Sequence, residues 1–129
     1  MKLLTPALLA LLSTCATSGP ELADPSRTWH LETLNGAPFT SRATLVLDEA
    51  RFSGRAPCNS YFGGGSGTYP AFSSTQIGAT RMACPDLAEE DAYLKALGAA
   101  NQARMDDGRL ILTGPDDHEL VFAEGAPAD

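Results

Sequence analysis

Three cysteines partition this chain and limit what it can become. Cys15 closes a short apolar run at the N-terminus. Cys58 and Cys84 lie in two turn-rich segments, GRAPCNSYFGGGSGTY and IGATRMACPDL. A chain that leaves the cytosol meets an oxidising environment, where paired thiols persist as disulfides. Export therefore decides how the two later cysteines are read.

The N-terminus has the layout of a secretory signal. Met1-Lys2 supplies one positive charge, Leu3 to Leu12 is apolar apart from Thr5 and Pro6, and Ser13-Thr14 precede Cys15. A charged start, an apolar stretch of roughly ten residues and then small residues make up that pattern. The stretch is shorter than the about 20 apolar residues a membrane-spanning helix needs. Pro6, and the polar residues that follow, speak against a buried core helix. Residues 1–14 are therefore read as a signal peptide.

Leu12-Ser13-Thr14-Cys15 resembles a bacterial lipobox, in which Leu precedes two small residues and a Cys. Thr14 departs from it, since Gly, Ala or Ser is usual there. The resemblance implies cleavage before Cys15 and acylation of Cys15, with plain signal cleavage as the alternative. One acyl chain holds a protein only marginally, so a firm anchor needs several. Ala16, not Asp, follows Cys15, so the resemblance implies no inner-membrane retention. It points to an outer-membrane anchor facing the periplasm, with a soluble periplasmic or secreted protein as the alternative. Residues 15–26, with Gly19, Pro20 and Pro25, have the composition of a tether.

Residues 27–123 then form one domain of about 100 residues, with room for a modest core. Residues 124–129 are a polar tail. The formal net charge is −7, and loss of Lys2 with the signal makes the remainder more acidic still. Such a domain lacks the basic stripe that nucleic acid requires. Without its anchor it is not drawn to anionic lipid heads.

In an exported chain, lipidation of Cys15 leaves Cys58 and Cys84 as an even pair. A disulfide closing a loop of this length contributes roughly 3–4 kcal/mol, a large share of the about 5–15 kcal/mol that holds a domain together. Two buried free thiols are the open alternative. A metal site wants Cys or His partners at short spacing, whereas His30 and His118 stand apart. No His-bearing motif near either thiol supports a nucleophile.

The element pattern is mostly β. Trp29, Leu31 and Thr33 alternate with His30 and Glu32, which predicts a half-buried strand. Asn35-Gly36 marks a tight turn. Ala43 to Leu47 and Arg51 to Arg55 are short strands about a turn at residues 48–50. Cys58-Asn59 opens a region expected to be irregular, with Gly63, Gly64, Gly65 and Gly67 bending it. Tyr69 to Phe72 and Gln76 to Gly78 are two further short strands. One helix follows Pro85, which suits a first turn, with Asp86, Glu89 and Glu90 complementing its dipole. Leu87, Leu94 and Leu97 form its apolar face beside Tyr93, and Glu90, Asp91 and Lys95 its solvated side. Ala103 and Met105, a turn at Asp106-Asp107-Gly108, Leu110 to Leu112, a turn at residues 114–117 and Leu120 to Phe122 complete the chain. The acidic turns lack the spacing of an EF-hand.

These residues together resemble the META domain family. The matching pieces are Trp29-His30-Leu31 with Asn35-Gly36, Phe52-Ser53-Gly54, Cys58-Asn59-Ser60-Tyr61 followed by Gly67 and Tyr69, Ile77-Gly78, Thr80-Arg81-Met82-Ala83-Cys84, Leu110-Ile111-Leu112 and Leu120-Val121-Phe122. Thr-x-Met-Ala-Cys with an upstream Cys-Asn is the specific combination. Pro57 stands where the family usually has Gly, and the Gly63-to-Gly67 stretch is longer than usual. The resemblance implies an α+β fold, mainly antiparallel β, with a curved sheet or half-open barrel and one helix packed across it. It also implies the cell envelope and a loose link to stress, but no shared reaction. It strengthens the pairing of Cys58 with Cys84.

No constellation of catalytic residues emerges. The serines lack a Gly-x-Ser-x-Gly setting and a partner His, and the glycine run is not a phosphate cradle. Asn59 and Tyr61 are expected to cap and pin the turn beside the disulfide, with Gly67, Tyr69 and Met82 as further structural motif positions. No cofactor or metal is expected. The favoured reading is a non-enzymatic envelope lipoprotein, tied to the membrane by its N-terminal anchor, that binds an envelope protein or an apolar ligand. The runner-up is an inhibitor-type module acting through the Gly63-to-Gly67 loop, and a hydrolase comes third.

Overall fold

The computed structural model describes residues 24–48, 51–66 and 70–125. The signal, Cys15, the tether before Asp24, Gly67, Tyr69 and the end of the tail lie outside the described residues. Ten elements follow in order: β1 (Trp29–Leu34), β2 (Ala37–Pro38), β3 (Thr44–Leu47), β4 (Arg51–Arg55), β5 (Ser60–Ser66), β6 (Ser73–Ala79), α1 (Leu87–Ala99), β7 (Gln102–Asp106), β8 (Arg109–Thr113) and β9 (Glu119–Glu124). The strands make one sheet in the order β6-β5-β4-β3-β1-β9-β8-β7, with β2 on β1. Its strand pairs are antiparallel. The fold is therefore α+β, mainly antiparallel, with α1 across a curved sheet that does not close. The ends of the sheet meet through one bridge, Ala71 to Gln102.

Alternation explains the strands. Trp29 and Leu31, Leu45 and Leu47, Leu110 and Leu112, and Leu120 and Phe122 point inward and are buried, while their neighbours face outward. Ile111 is buried on the opposite face. Two hairpins turn through left-handed pairs that favour Asn-Gly and Asp-Gly: Asn35 and Gly36 at φ 52° and 84°, and Asp107 and Gly108 at 53° and 79°. Arg27 closes the domain, its guanidinium meeting the Glu124 carboxylate at 2.9 and 3.2 Å and lying 4.7 Å above the Trp29 ring. Glu124, assigned above to the tail, is the last residue of β9.

Four expectations need correction. Gly63, Gly64 and Gly65 lie in strand β5, not in an irregular loop. Its backbone pairs on both sides, as in Phe52 with Gly63 and Gly65 with Ser74. The space a Cβ on Gly63 would need is filled by the Phe52 ring, so glycine here admits an aromatic into the core. Residues 76–78 belong to a longer strand, β6, whose bulge opposite Phe62–Gly64 places Gln76 at φ 51° and sharpens the curvature. Within the described part of the Tyr69-to-Phe72 strand, only Ala71 pairs, through the bridge to β7.

The fourth correction concerns α1, which packs mainly on β6. Its buried residues are Glu90, Tyr93, Ala96 and Leu97, whereas Leu94 is half-buried and Leu87 is exposed. Glu90 thus leaves the solvated side. Tyr93 centres the core, edge-on to Tyr61 and Phe122 with ring centroids 5.6 and 6.4 Å away.

Candidate functional site

The disulfide Cys58–Cys84 joins the β4–β5 connection to the entry of α1, its Cα atoms 6.0 Å apart across a sequence separation of 26. It sets Asn59 beneath the first turns of the helix. Glu90 projects from the helix into the same spot. One carboxylate oxygen accepts the backbone N–H groups of Cys58 and Asn59, each at 2.8 Å, and the other accepts the Asn59 side-chain amide at 2.7 Å. Asn59 then reaches the strand-to-helix segment. Its Oδ1 accepts Met82 N–H at 2.6 Å and the Thr80 hydroxyl at 2.9 Å, and its Nδ2 also donates to the Met82 carbonyl at 3.2 Å.

Both side chains are buried, each with 4% exposure. A buried charge is tolerable only when donors surround it. Burial is the largest influence on the Glu90 carboxyl and pushes its pKa up, but donation from the Asn59 amide and the two backbone N–H groups outweighs it and leaves the pKa lowered. The carboxylate is thus ionised and committed to structure.

Above this clamp lies a groove of about 460 Å³ between α1, the end of β6 and residues 79–83. Asn59 and Glu90 line its deep side; Ile77, Ala79, Leu87, Leu94 and Met82 supply apolar surface; Arg81 and Asp91 add one charge of each sign. Met82 is 64% exposed and Leu87 37%, two of three large apolar side chains exposed among the described residues. The Met82 side chain is open to solvent although both its backbone polar groups are held by Asn59.

The sequence-named residues therefore separate. Cys58, Asn59, Met82 and Cys84 converge here. Tyr61 does not pin the turn: it points inward from β5, and its hydroxyl donates to the Thr44 carbonyl at 2.5 Å and meets the Tyr93 hydroxyl at 2.5 Å. Burial, chiefly, raises the pKa of both phenols, so they stay neutral. Gly54 makes room, since a Cβ there would strike the Thr44 carbonyl and the Tyr61 hydroxyl. Glu90 is the residue sequence reasoning missed. The signal was its place on the apolar stripe, three residues after Leu87 and four before Leu94.

The groove offers shape and apolar surface. Glu90 and Asn59 spend their polar atoms on each other and on the backbone. Among the described residues, no group of three or more His, Cys, Asp or Glu could hold a metal. No helix among them is long and apolar enough to cross a membrane.

Comparison with known proteins agrees with this architecture. The sequence matches the family model described as META domain over residues 21–127. No curated protein matches it. Two solved structures share the fold. One, described as the NMR structure of the protein from Burkholderia xenovorans, superposes with a TM-score of 0.65 at 23% identity, covering 95% of this chain and 99% of that one. The other, described as the NMR structure of the protein, gives 0.63 at 25% identity, covering 81% and 93%.

Proposed function

The chain belongs to the META domain family, and from that premise we propose that it is a non-enzymatic, envelope-anchored domain that binds an apolar ligand in the groove between α1 and β6. The observation that carries this reading is the contrast within the groove. Its deep polar groups are saturated, while Met82 and Leu87 stand exposed beside Ile77 and Leu94. The volume of about 460 Å³ falls in the range of roughly 300–1,000 Å³ typical of small-ligand sites. A flexible thioether at the entrance adapts to ligands of different shape. Lipobox-like residues 12–15 support anchoring through Cys15.

Titration of the purified protein with N-phenyl-1-naphthylamine, an uncharged apolar dye, tests the reading. Saturable fluorescence enhancement is expected, at least tenfold weaker in Leu87→Asp and Met82→Asp. Equal binding by both variants and the parent contradicts it. Mass spectrometry of the mature N-terminus tests acylation of Cys15 separately.

A further inference from the structure

The opposite face of the sheet has a different character. Along β4, Phe52 points into the core while Arg51, Ser53 and Arg55 are exposed. The antiparallel register aligns Val46, Ser53, Phe62 and Gly78 in one row across β3 to β6. Phe62 is 61% exposed. Its ring leans over Gly78, where a Cβ would come within 2.8 Å of it. Arg51 and Arg55 flank this row at the two ends of β4, and the Arg55 guanidinium is steadied by the Ser60 hydroxyl at 3.3 Å.

The chain enters the fold on this same face. Pro25 lines a shallow hollow of about 710 Å³ with Val46, Phe62, Arg51 and one carboxylate, Asp48. Asp24 fixes that entry, accepting the Ser26 N–H at 3.0 Å and hydroxyl at 2.7 Å, while its carbonyl accepts Arg27 N–H at 3.1 Å. Nine peptide steps separate Cys15 from Asp24. Such a segment reaches at most about 30 Å, with a mean span of about 15–18 Å if flexible. With the chain entering beside Phe62, a short tether from Cys15 favours presenting this face to the lipid.

We infer that this outward face, Phe62 and Val46 flanked by Arg51 and Arg55, is the surface the anchored domain lays on the phospholipid interface. An aromatic ring suits the boundary between headgroups and acyl chains, and guanidinium groups pair with lipid phosphates. The overall negative charge does not forbid this, because two of the chain's arginines are gathered here. The inference rests on anchoring at Cys15. It also orients the protein: Ile77 and Ala79 of β6 line the groove, while Gly78 between them carries the Phe62 ring, so the groove faces away from the membrane.

The test uses the full chain, processed and purified from its own envelope and reconstituted in phosphatidylcholine–phosphatidylglycerol vesicles with brominated acyl chains. Trp29 is the one native tryptophan and is fully buried, so it serves as an internal reference. Phe62→Trp is expected to lose at least half of its added emission to bromine quenching and to shift to shorter wavelength. Ser53→Trp, a second probe in the same row, is expected to be quenched less but measurably. Met82→Trp stays unquenched. Adding Arg51→Glu and Arg55→Glu to Phe62→Trp reduces its quenching at least twofold. With Cys15 acylated by mass spectrometry, quenching absent at residues 53 and 62, or equal at residue 82, overturns the inference. A non-acylated Cys15 instead removes the anchoring on which it rests.

Discussion

The Glu90 carboxylate and the Asn59 amide meet at 2.7 Å inside the fold. The contact joins the first turns of α1 to the disulfide-bonded turn ahead of β5. Through Asn59 it extends to both backbone polar groups of Met82. The position of the groove wall is thus set by a polar clamp beneath it rather than by packing of the wall itself.

Removing the amide should cost more than the loss of one hydrogen bond. Asn59→Ala leaves Glu90 with fewer donors and Met82 N–H without its acceptor. A cost of about 3 kcal/mol is expected from groups left buried and unpaired. Asn59→Asp should cost at least as much, because it sets a second carboxylate against Glu90. Urea unfolding at pH 7 measures both.

Acid should loosen the same clamp. The Glu90 pKa is lowered below its ordinary value of 4.5 in the folded protein. Its contribution to stability is therefore complete above 4.5 and is lost as pH falls through the lower folded-state value. Urea midpoints measured from pH 6 downward should decline through that window, and Glu90→Gln should decline less steeply.

Strong alkali acts on the core instead. The pKa values of Tyr61 and Tyr93 are raised from 10.0, chiefly by burial, so the folded state resists their ionisation. Stability is expected to be unaffected by these groups below pH 10 and to fall as pH rises beyond it, where unfolded phenols ionise. Absorbance at 295 nm should show two of the three tyrosines titrating only as the protein unfolds.

Local rules made much of this fold legible. Trp29 and Leu31 alternate with polar neighbours, and Asn35-Gly36 and Asp107-Gly108 carry the conformations their turns require. The glycine run of β5 was opaque because residues without side chains show no alternation. What makes it a strand is pairing with β4 and β6 and the Phe52 ring beside Gly63. Glu90 was opaque for another reason. Its charge suggested solvent, and the partner that makes burial tolerable lies 31 residues upstream, a contact no local pattern encodes. The cysteine spacing indicated the staple but not that Glu90 would accept the Cys58 N–H.

The staple itself should be energetically coupled to the clamp. Replacing Cys58 and Cys84 together by Ala is expected to lower stability by roughly 3–4 kcal/mol, the cost of releasing a loop of this length. Denaturant midpoints of the double variant, with and without Asn59→Ala, measure the coupling. The combined loss should differ from the sum of the separate losses, because Cys58 N–H and Asn59 share one carboxylate.

The most direct test of the binding site is an amide chemical-shift map of the isotope-labelled protein titrated with a dodecyl-chain probe below its micelle concentration. The account predicts saturable shifts concentrated at Ile77, Met82, Leu87 and Leu94, with Phe62 and Ser53 unmoved. Shifts centred on Phe62 with the α1–β6 groove silent, or none that saturate, would contradict it.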